Sequence, residues 1–112
     1  MSLDVNGNSL ETTDNGYLVN PEEWNEQVAE AIAAADSISL TQEHWDVVNH
    51  LRDEYFNNGQ HQPNMRKLLK GMEEIWGRKL DSKALFDLFP TGPHKQAAKV
   101  AGLPEPKGKA GY

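Results

Sequence analysis

Residues 88–106 read Leu88-Phe89-Pro90-Thr91-Gly92-Pro93-His94-Lys95-Gln96-Ala97-Ala98-Lys99-Val100-Ala101-Gly102-Leu103-Pro104-Glu105-Pro106. Pro90 stops the helix that carries Leu88 and Phe89, because its ring removes a backbone donor and clashes with the preceding turn. After Thr91-Gly92-Pro93 a new helix is predicted over about residues 94–101, and Gly102 is placed to end it. Two prolines follow within three residues. From residue 103 onward the chain therefore reads as an arm rather than as a core element.

The same punctuation recurs upstream. Ser82 starts a short helix bearing Leu85, Phe86, Leu88 and Phe89. A longer one over about residues 64–76 places Met65, Leu68, Leu69, Met72, Ile75 and Trp76 at apolar positions, with Gly77 beyond it. Thr41 caps a helix whose apolar face is Trp45, Val48, Leu51, Tyr55 and Phe56, with Gly59 just past its end. The first helix is predicted from Asn20 as cap and Pro21 as first residue, with Trp24, Val28, Ala31, Ile32 and Ala35 on one stripe. Before it, apolar residues alternate around Asn6-Gly7, a pair that tolerates the positive φ of a tight hairpin turn. Asp14-Asn15-Gly16 marks a second turn, and Tyr17-Leu18 is expected to tuck under the first helix. The fold is thus expected to be mostly α. A small N-terminal β-hairpin precedes about five short helices, which include a helix-turn-helix-like pair. One domain covers residues 1–102 and a flexible arm residues 103–112.

The charge is unevenly distributed. Residues 1–65 hold one basic residue, Arg52, against 12 acidic ones, and residues 66–112 hold 10 basic against 5 acidic. The balances of -11 and +5 sum to the net charge of -6. Two surfaces that attract each other explain this division, as does a basic half that meets an anionic partner. Arg66, Lys67 and Lys70 on the third helix, with Arg78, Lys79 and Lys83 after it, are the candidate nucleic-acid contacts of the helix-turn-helix-like pair. The aromatic residues Trp24, Trp45, Tyr55, Phe56, Trp76, Phe86 and Phe89 fall at core spacing, which disfavours a base-stacking platform.

Little else in the sequence carries chemistry. Asp46 and His50 share a helix face near Glu43 and His44, but no recognised ligand pattern completes a metal site. The serines sit at turns and caps, and no glycine loop has phosphate-binding spacing. No cofactor is implied. No apolar run approaches the roughly 20 residues needed to span a bilayer, and the composition suits a cytoplasmic protein. The chain contains no cysteine, so it cannot itself perform thiol, persulfide or disulfide chemistry.

That absence matters because residues 88–106 closely resemble the C-terminal signature of the DsrC/TusE family, which includes the gamma subunit of dissimilatory sulfite reductase. The signature reads roughly L-F-P-x-G-P-x-K-Q-x-x-K-x-A-G-L-P-x-P. Asn15-Gly16-Tyr17-Leu18 resembles the family's hairpin exit, Leu40-Thr41-Gln42-Glu43-His44-Trp45-Asp46-Val47-Val48 its E-H-W segment, and Leu51-Arg52-Asp53-Glu54-Tyr55 follows in register. The resemblance implies a mostly helical fold with a hairpin and a mobile C-terminal arm. It also implies a role in sulfur handling. In the family so resembled, a cysteine at the second-last position of the arm receives or delivers sulfur, and the DsrC branch adds a second in the last helix. The TusE branch relays sulfur toward 2-thiouridine in tRNA, whereas DsrC partners sulfite reductase, whose channel the arm enters.

Here Ala98 stands in register with the helix cysteine and Lys109 with the arm cysteine, and Ala110-Gly111-Tyr112 extends the arm by two residues. The resemblance therefore predicts a protein that docks on sulfite reductase or sulfur-transfer proteins in a regulatory or accessory role and is not itself an enzyme. Lys95, Lys99, Gly102, Leu103, Pro104 and Pro106 would supply the docking surface. Two alternatives stand beside it: a nucleic-acid-binding regulator, and a tRNA-thiolation relay protein whose cysteine is absent.

Overall fold

The structure, a computed structural model, describes residues 2–106. Strands β1 (Ser2–Val5) and β2 (Asn8–Glu11) form an antiparallel hairpin in which Leu3 faces Leu10 and Val5 faces Asn8. Asn6 and Gly7 adopt φ values of 51° and 83°, the pair of left-handed residues that a two-residue turn requires. The next turn closes through Gly16 N–H to Thr13 O at 2.9 Å. Tyr17 and Leu18 are buried, as expected.

Helix 1 differs from its prediction. Pro21–Glu23 form a single 3-10 turn, Trp24 and Asn25 are extended, and α1 runs only over Glu26–Ala35. Two side chains explain the break. Asn25 Oδ1 accepts from Val28 N–H at 2.9 Å and so caps the helix five residues later than Asn20 would. Trp24 leaves the helical path to donate its indole N–H to Val100 O at 2.8 Å. The buried stripe accordingly becomes Val28, Ala29, Ile32 and Ala33.

Helices α2 (Gln42–Asn57), α3 (Met65–Trp76) and α4 (Ser82–Leu88) follow the expected order. His44 joins two of them. Its Nδ1 accepts from Thr41 N–H at 3.0 Å, so Nε2 carries the ring hydrogen and donates to Leu88 O at 2.9 Å. The start of α2 is thereby fixed to the end of α4. Asn64 caps α3, Asp81 caps α4, which starts at Ser82 as expected, and Gly77 closes α3 at φ 64°.

Helix α5 (Pro93–Val100) packs against all four other helices. Pro93, Ala97, Ala98 and Val100 enter the core beside Leu68, Met72, Leu85 and Phe89. The helix ends in a Schellman motif. Leu103 N–H reaches Ala98 O at 3.0 Å and Gly102 N–H reaches Lys99 O at 3.1 Å, with Gly102 at φ 73°. Leu103 is consequently fully buried, so the packed core continues into the segment that the sequence reads as an arm. Of the arm expected over residues 103–112, residues 107–112, Lys109 among them, lie outside the described residues.

Not every aromatic residue is in the core. Phe89 is fully buried, whereas Phe56 is 52% and Phe86 40% exposed, and Ile75 on α3 is 51% exposed. Helical spacing identifies an apolar stripe but not its width, so residues at its margin can face solvent. Among the described residues no helix is long and apolar enough to cross a membrane.

Two measurements follow from α5. A Cβ added to Gly102 would overlap the Trp24 indole, and its φ of 73° already disfavours any side chain. Gly102→Ala is expected to destabilise the fold by about 2–4 kcal/mol in urea denaturation. Gly7→Ala has equally positive φ but open space around it, and is expected to cost only about 1–2 kcal/mol. His94 is buried with Nδ1 unpartnered among the described residues, and burial, with a smaller push from Lys95, holds its pKa below the ordinary imidazole value. The unfolded chain therefore binds the proton more readily. His94's contribution is intact above about pH 6.5 and is lost as pH falls from there through the lower folded pKa. Replacing His94 with Phe is expected to flatten the acid limb of a stability–pH curve; an unchanged limb would assign that limb to other groups.

Candidate functional site

Ala98 lies on the inner face of α5 and is 1% exposed. Its methyl group has no reactive atom, so interest passes to what surrounds the helix end and the segment leaving it. Two side chains converge on the last carbonyls of α5. Trp24 takes Val100 O, and Arg52 Nη1 donates to Ala101 O at 2.7 Å. The Arg52 guanidinium carbon also lies 3.9 Å from the centroid of a Trp24 ring and 4.8 Å from that of Phe56. A cation placed against the negative end of a helix dipole and flanked by aromatic faces is favourable on both counts.

The outer side of α5 is held by a polar network. Lys99 Nζ pairs with Asp36 Oδ2 at 2.6 Å, and Gln96 Nε2 donates to the same oxygen at 3.2 Å. Gln96 Oε1 in turn accepts from Thr91 N–H at 3.1 Å, tying the turn before α5 to the end of α1. The Tyr17 hydroxyl donates to Lys95 O at 3.0 Å. Burial, then the Glu105 and Asp36 carboxylates, push the Tyr17 phenol up to about 12, so it stays protonated and remains a donor at neutral pH.

The segment after Leu103 is touched from two connectors. Gln62 Nε2 donates to Pro104 O at 2.8 Å and Asn15 Nδ2 to Glu105 Oε1 at 2.9 Å. Tyr55, Gln60 and Gln62 line an open cleft together with Pro104, Glu105 and Pro106.

Of the docking residues expected from the sequence, only Pro104 is freely exposed, and Lys95 is half-buried. Lys99 is committed to Asp36, and Gly102, Leu103 and Pro106 are buried. These signature positions shape the surface from beneath. In the other expected set, Arg66, Lys67, Lys70 and Lys79 are exposed. Arg78 pairs with Glu43 at 3.0 Å and lies over Trp76, while Lys83 pairs with Asp87 at 3.1 Å. Lys67 and Lys70 border a cleft that also holds Asp53, Glu54 and Glu74, so that surface is mixed in charge rather than uniformly basic.

The helix-turn-helix expectation needs correction. Residues 58–64 separate α2 from α3, longer than the three- to four-residue turn that sets such a pair at a fixed angle. Glu43, His44 and Asp46 are engaged by Arg78, Thr41 with Leu88, and Trp76 respectively. Among the described residues no group of three or more His, Asp or Glu could hold a metal.

The organisers Trp24, Arg52, Asp36, Asn15 and Gln62 were not read as such from the sequence. One signal was present: Arg52 is the lone cation of residues 1–65, and it lies at the end of the last helix.

Comparison with known proteins agrees with this architecture. The family model described as DsrC-like protein matches residues 4–109. The sulfurtransferase TusE homolog of Haemophilus influenzae is 46% identical over 105 residues, covering 93% of this chain and 95% of that protein. Sulfurtransferase TusE of Escherichia coli K12 is 46% identical over 103 residues, covering 89% and 92%. Among solved structures, DsrC of Allochromatium vinosum is similar with a TM-score of 0.86 at 40% identity. The oxidised gamma subunit of dissimilatory sulfite reductase (DsrC) from Archaeoglobus fulgidus has a TM-score of 0.86 at 36% identity; each match covers 96% of this chain and 98% of the other. With the hairpin, the five helices and the signature on α5 all in place, the chain belongs to the DsrC/TusE family, as a member that contains no cysteine.

Proposed function

We propose that this protein docks on the family's sulfur-relay partners, sulfur-transfer proteins or sulfite reductase, without carrying sulfur itself, and so acts as an accessory or regulatory competitor of cysteine-bearing members. The observation that carries the reading is a combination. The end of α5 and the start of the arm keep a fully bonded architecture, while the chain has no thiol. Persulfide transfer needs a thiolate nucleophile. The ammonium of a lysine such as Lys109, with an ordinary pKa of about 10.4, is protonated near neutral pH and cannot hold a persulfide.

In this reading Lys95 and Pro104 face the partner directly. Lys99, Gly102, Leu103 and Pro106 act from below, by fixing where α5 ends and where the arm begins. Affinity then derives from surface complementarity, with no covalent sulfur link required. The cytoplasm, where relay partners would be met, is the expected setting.

A second reading uses Arg66, Lys67, Lys70 and Lys79, whose exposure leaves them available to phosphates. It carries its own signature. Nucleic-acid affinity would fall steeply with salt, and each neutralised lysine would reduce the log–log slope by roughly 1. Binding that is absent or indifferent to salt would remove this reading.

The docking reading is checked by competition. The chain is expected to displace a cysteine-bearing relative from its sulfur-transfer partner with an affinity within about tenfold of the relative's own. No displacement at saturating concentration would refute it. Chemistry is checked separately by Lys109→Cys, which is expected to accept sulfane sulfur from a persulfide donor where the unaltered chain does not. In contrast, Ala98→Cys places its thiol at a position 1% exposed. Its alkylation is expected to be slower than that of a free thiol by about tenfold or more, because reaction must await local opening.

A further inference from the structure

The segment Leu103-Pro104-Glu105-Pro106 is short, but its two prolines make it stiff: each fixes its own φ and restricts the residue before it. A direction imposed at residues 104 and 105 therefore carries through to residue 106. The prolines also lack backbone N–H groups, so this segment offers carbonyls and the Glu105 side chain as its principal handles. Both kinds of handle are taken. Gln62, from the α2–α3 connector, donates to Pro104 O at 2.8 Å, and Asn15, from the turn after β2, donates to Glu105 Oε1 at 2.9 Å. Tyr17, in the same turn as Asn15, feels the Glu105 carboxylate as well. Position 105 is one that the family signature leaves open, so the Asn15–Glu105 contact is not dictated by that signature.

We propose that Asn15 and Gln62 are positioning residues that seat the root of the arm from two sides, their hydrogen bonds fixing the direction in which residues 104–106 leave the body. The two donors come from loops far apart in sequence and meet the same three-residue stretch. Leu103 on one side of that stretch is anchored in the core, and Pro106 at its far end is buried. Because both bonds are solvent-exposed, each holds the seat by only about a two- to tenfold shift in population. The seat is therefore reversible. The consequence for docking rests on the function proposed above: a partner that needs the arm in another direction must first break the two bonds. The seating itself is a property of the isolated chain, so the two readings fail separately.

The test uses 15N relaxation on the full chain, comparing the amides of Leu103 and Glu105. In the unaltered protein both are expected near the rigid order parameter of about 0.85. Asn15→Asp sets a carboxylate against that of Glu105 and is expected to drop residue 105 below about 0.6, leaving Leu103 and the thermal midpoint unchanged. Adding Glu105→Gln to Asn15→Asp restores a donor–acceptor pair with its polarity reversed, and is expected to recover the order of residue 105. Gln62→Ala is expected to lower it independently. The proposal is overturned if residue 105 is already disordered in the unaltered chain, if Asn15→Asp leaves it rigid, or if the double variant is as disordered as the single one.

Discussion

The end of α5 is where the structure is most constrained, and most of the fold is arranged around it. A helix terminus leaves its last carbonyls without partners, and here that terminus lies inside the protein. The Schellman bonds to Ala98 and Lys99 satisfy two of them, Trp24 a third and Arg52 a fourth. A hydrogen bond to a charged donor such as Arg52 contributes about 1.5–3 kcal/mol, and the faces of Trp24 and Phe56 attract the same guanidinium. Meeting these carbonyls has a structural consequence elsewhere. Trp24 can reach Val100 only by leaving the helical path, and this is why the first helix is divided into a 3-10 turn and α1. Gly102 must lack a side chain because the indole occupies that space.

The chemistry of the family and its architecture separate cleanly in this chain. Thiol chemistry depends on a single sulfur atom, and a chain without cysteine cannot perform it. The arrangement around α5 depends instead on hydrogen bonds and an ion pair that involve no sulfur. Asp36 holds Lys99 and Gln96, Tyr17 holds Lys95, and His44 couples α2 to α4. All of these contacts are present in a chain that has no thiol.

Several signature residues have roles that a surface reading would misassign. Lys99 looks like a free cation in a basic segment, yet its ammonium lies against Asp36. Leu103 looks like the first residue of an arm, yet it fills the core beneath the helix end. In both cases the partner comes from an element more than sixty residues away or from a capping motif whose hydrophobic member lies outside the helix. Periodicity within a helix cannot register either kind of contact.

What the sequence determined by itself was local. The Asn6-Gly7 turn, the helix cap at Thr41, the stops at Gly77, Pro90 and Gly102, and the family signature all depend on residues within a few positions of one another. Their backbone preferences act over that range. The absence of a thiol was likewise legible, because chemistry that requires an atom cannot occur without it. Only the tertiary structure decided which side chains serve the helix end and the arm root. Arg52, Trp24, Asn15 and Gln62 are ordinary residues in their own segments. Their functions come from long-range packing that brings a lone arginine, an indole and two amides to carbonyls and a carboxylate near the other end of the chain.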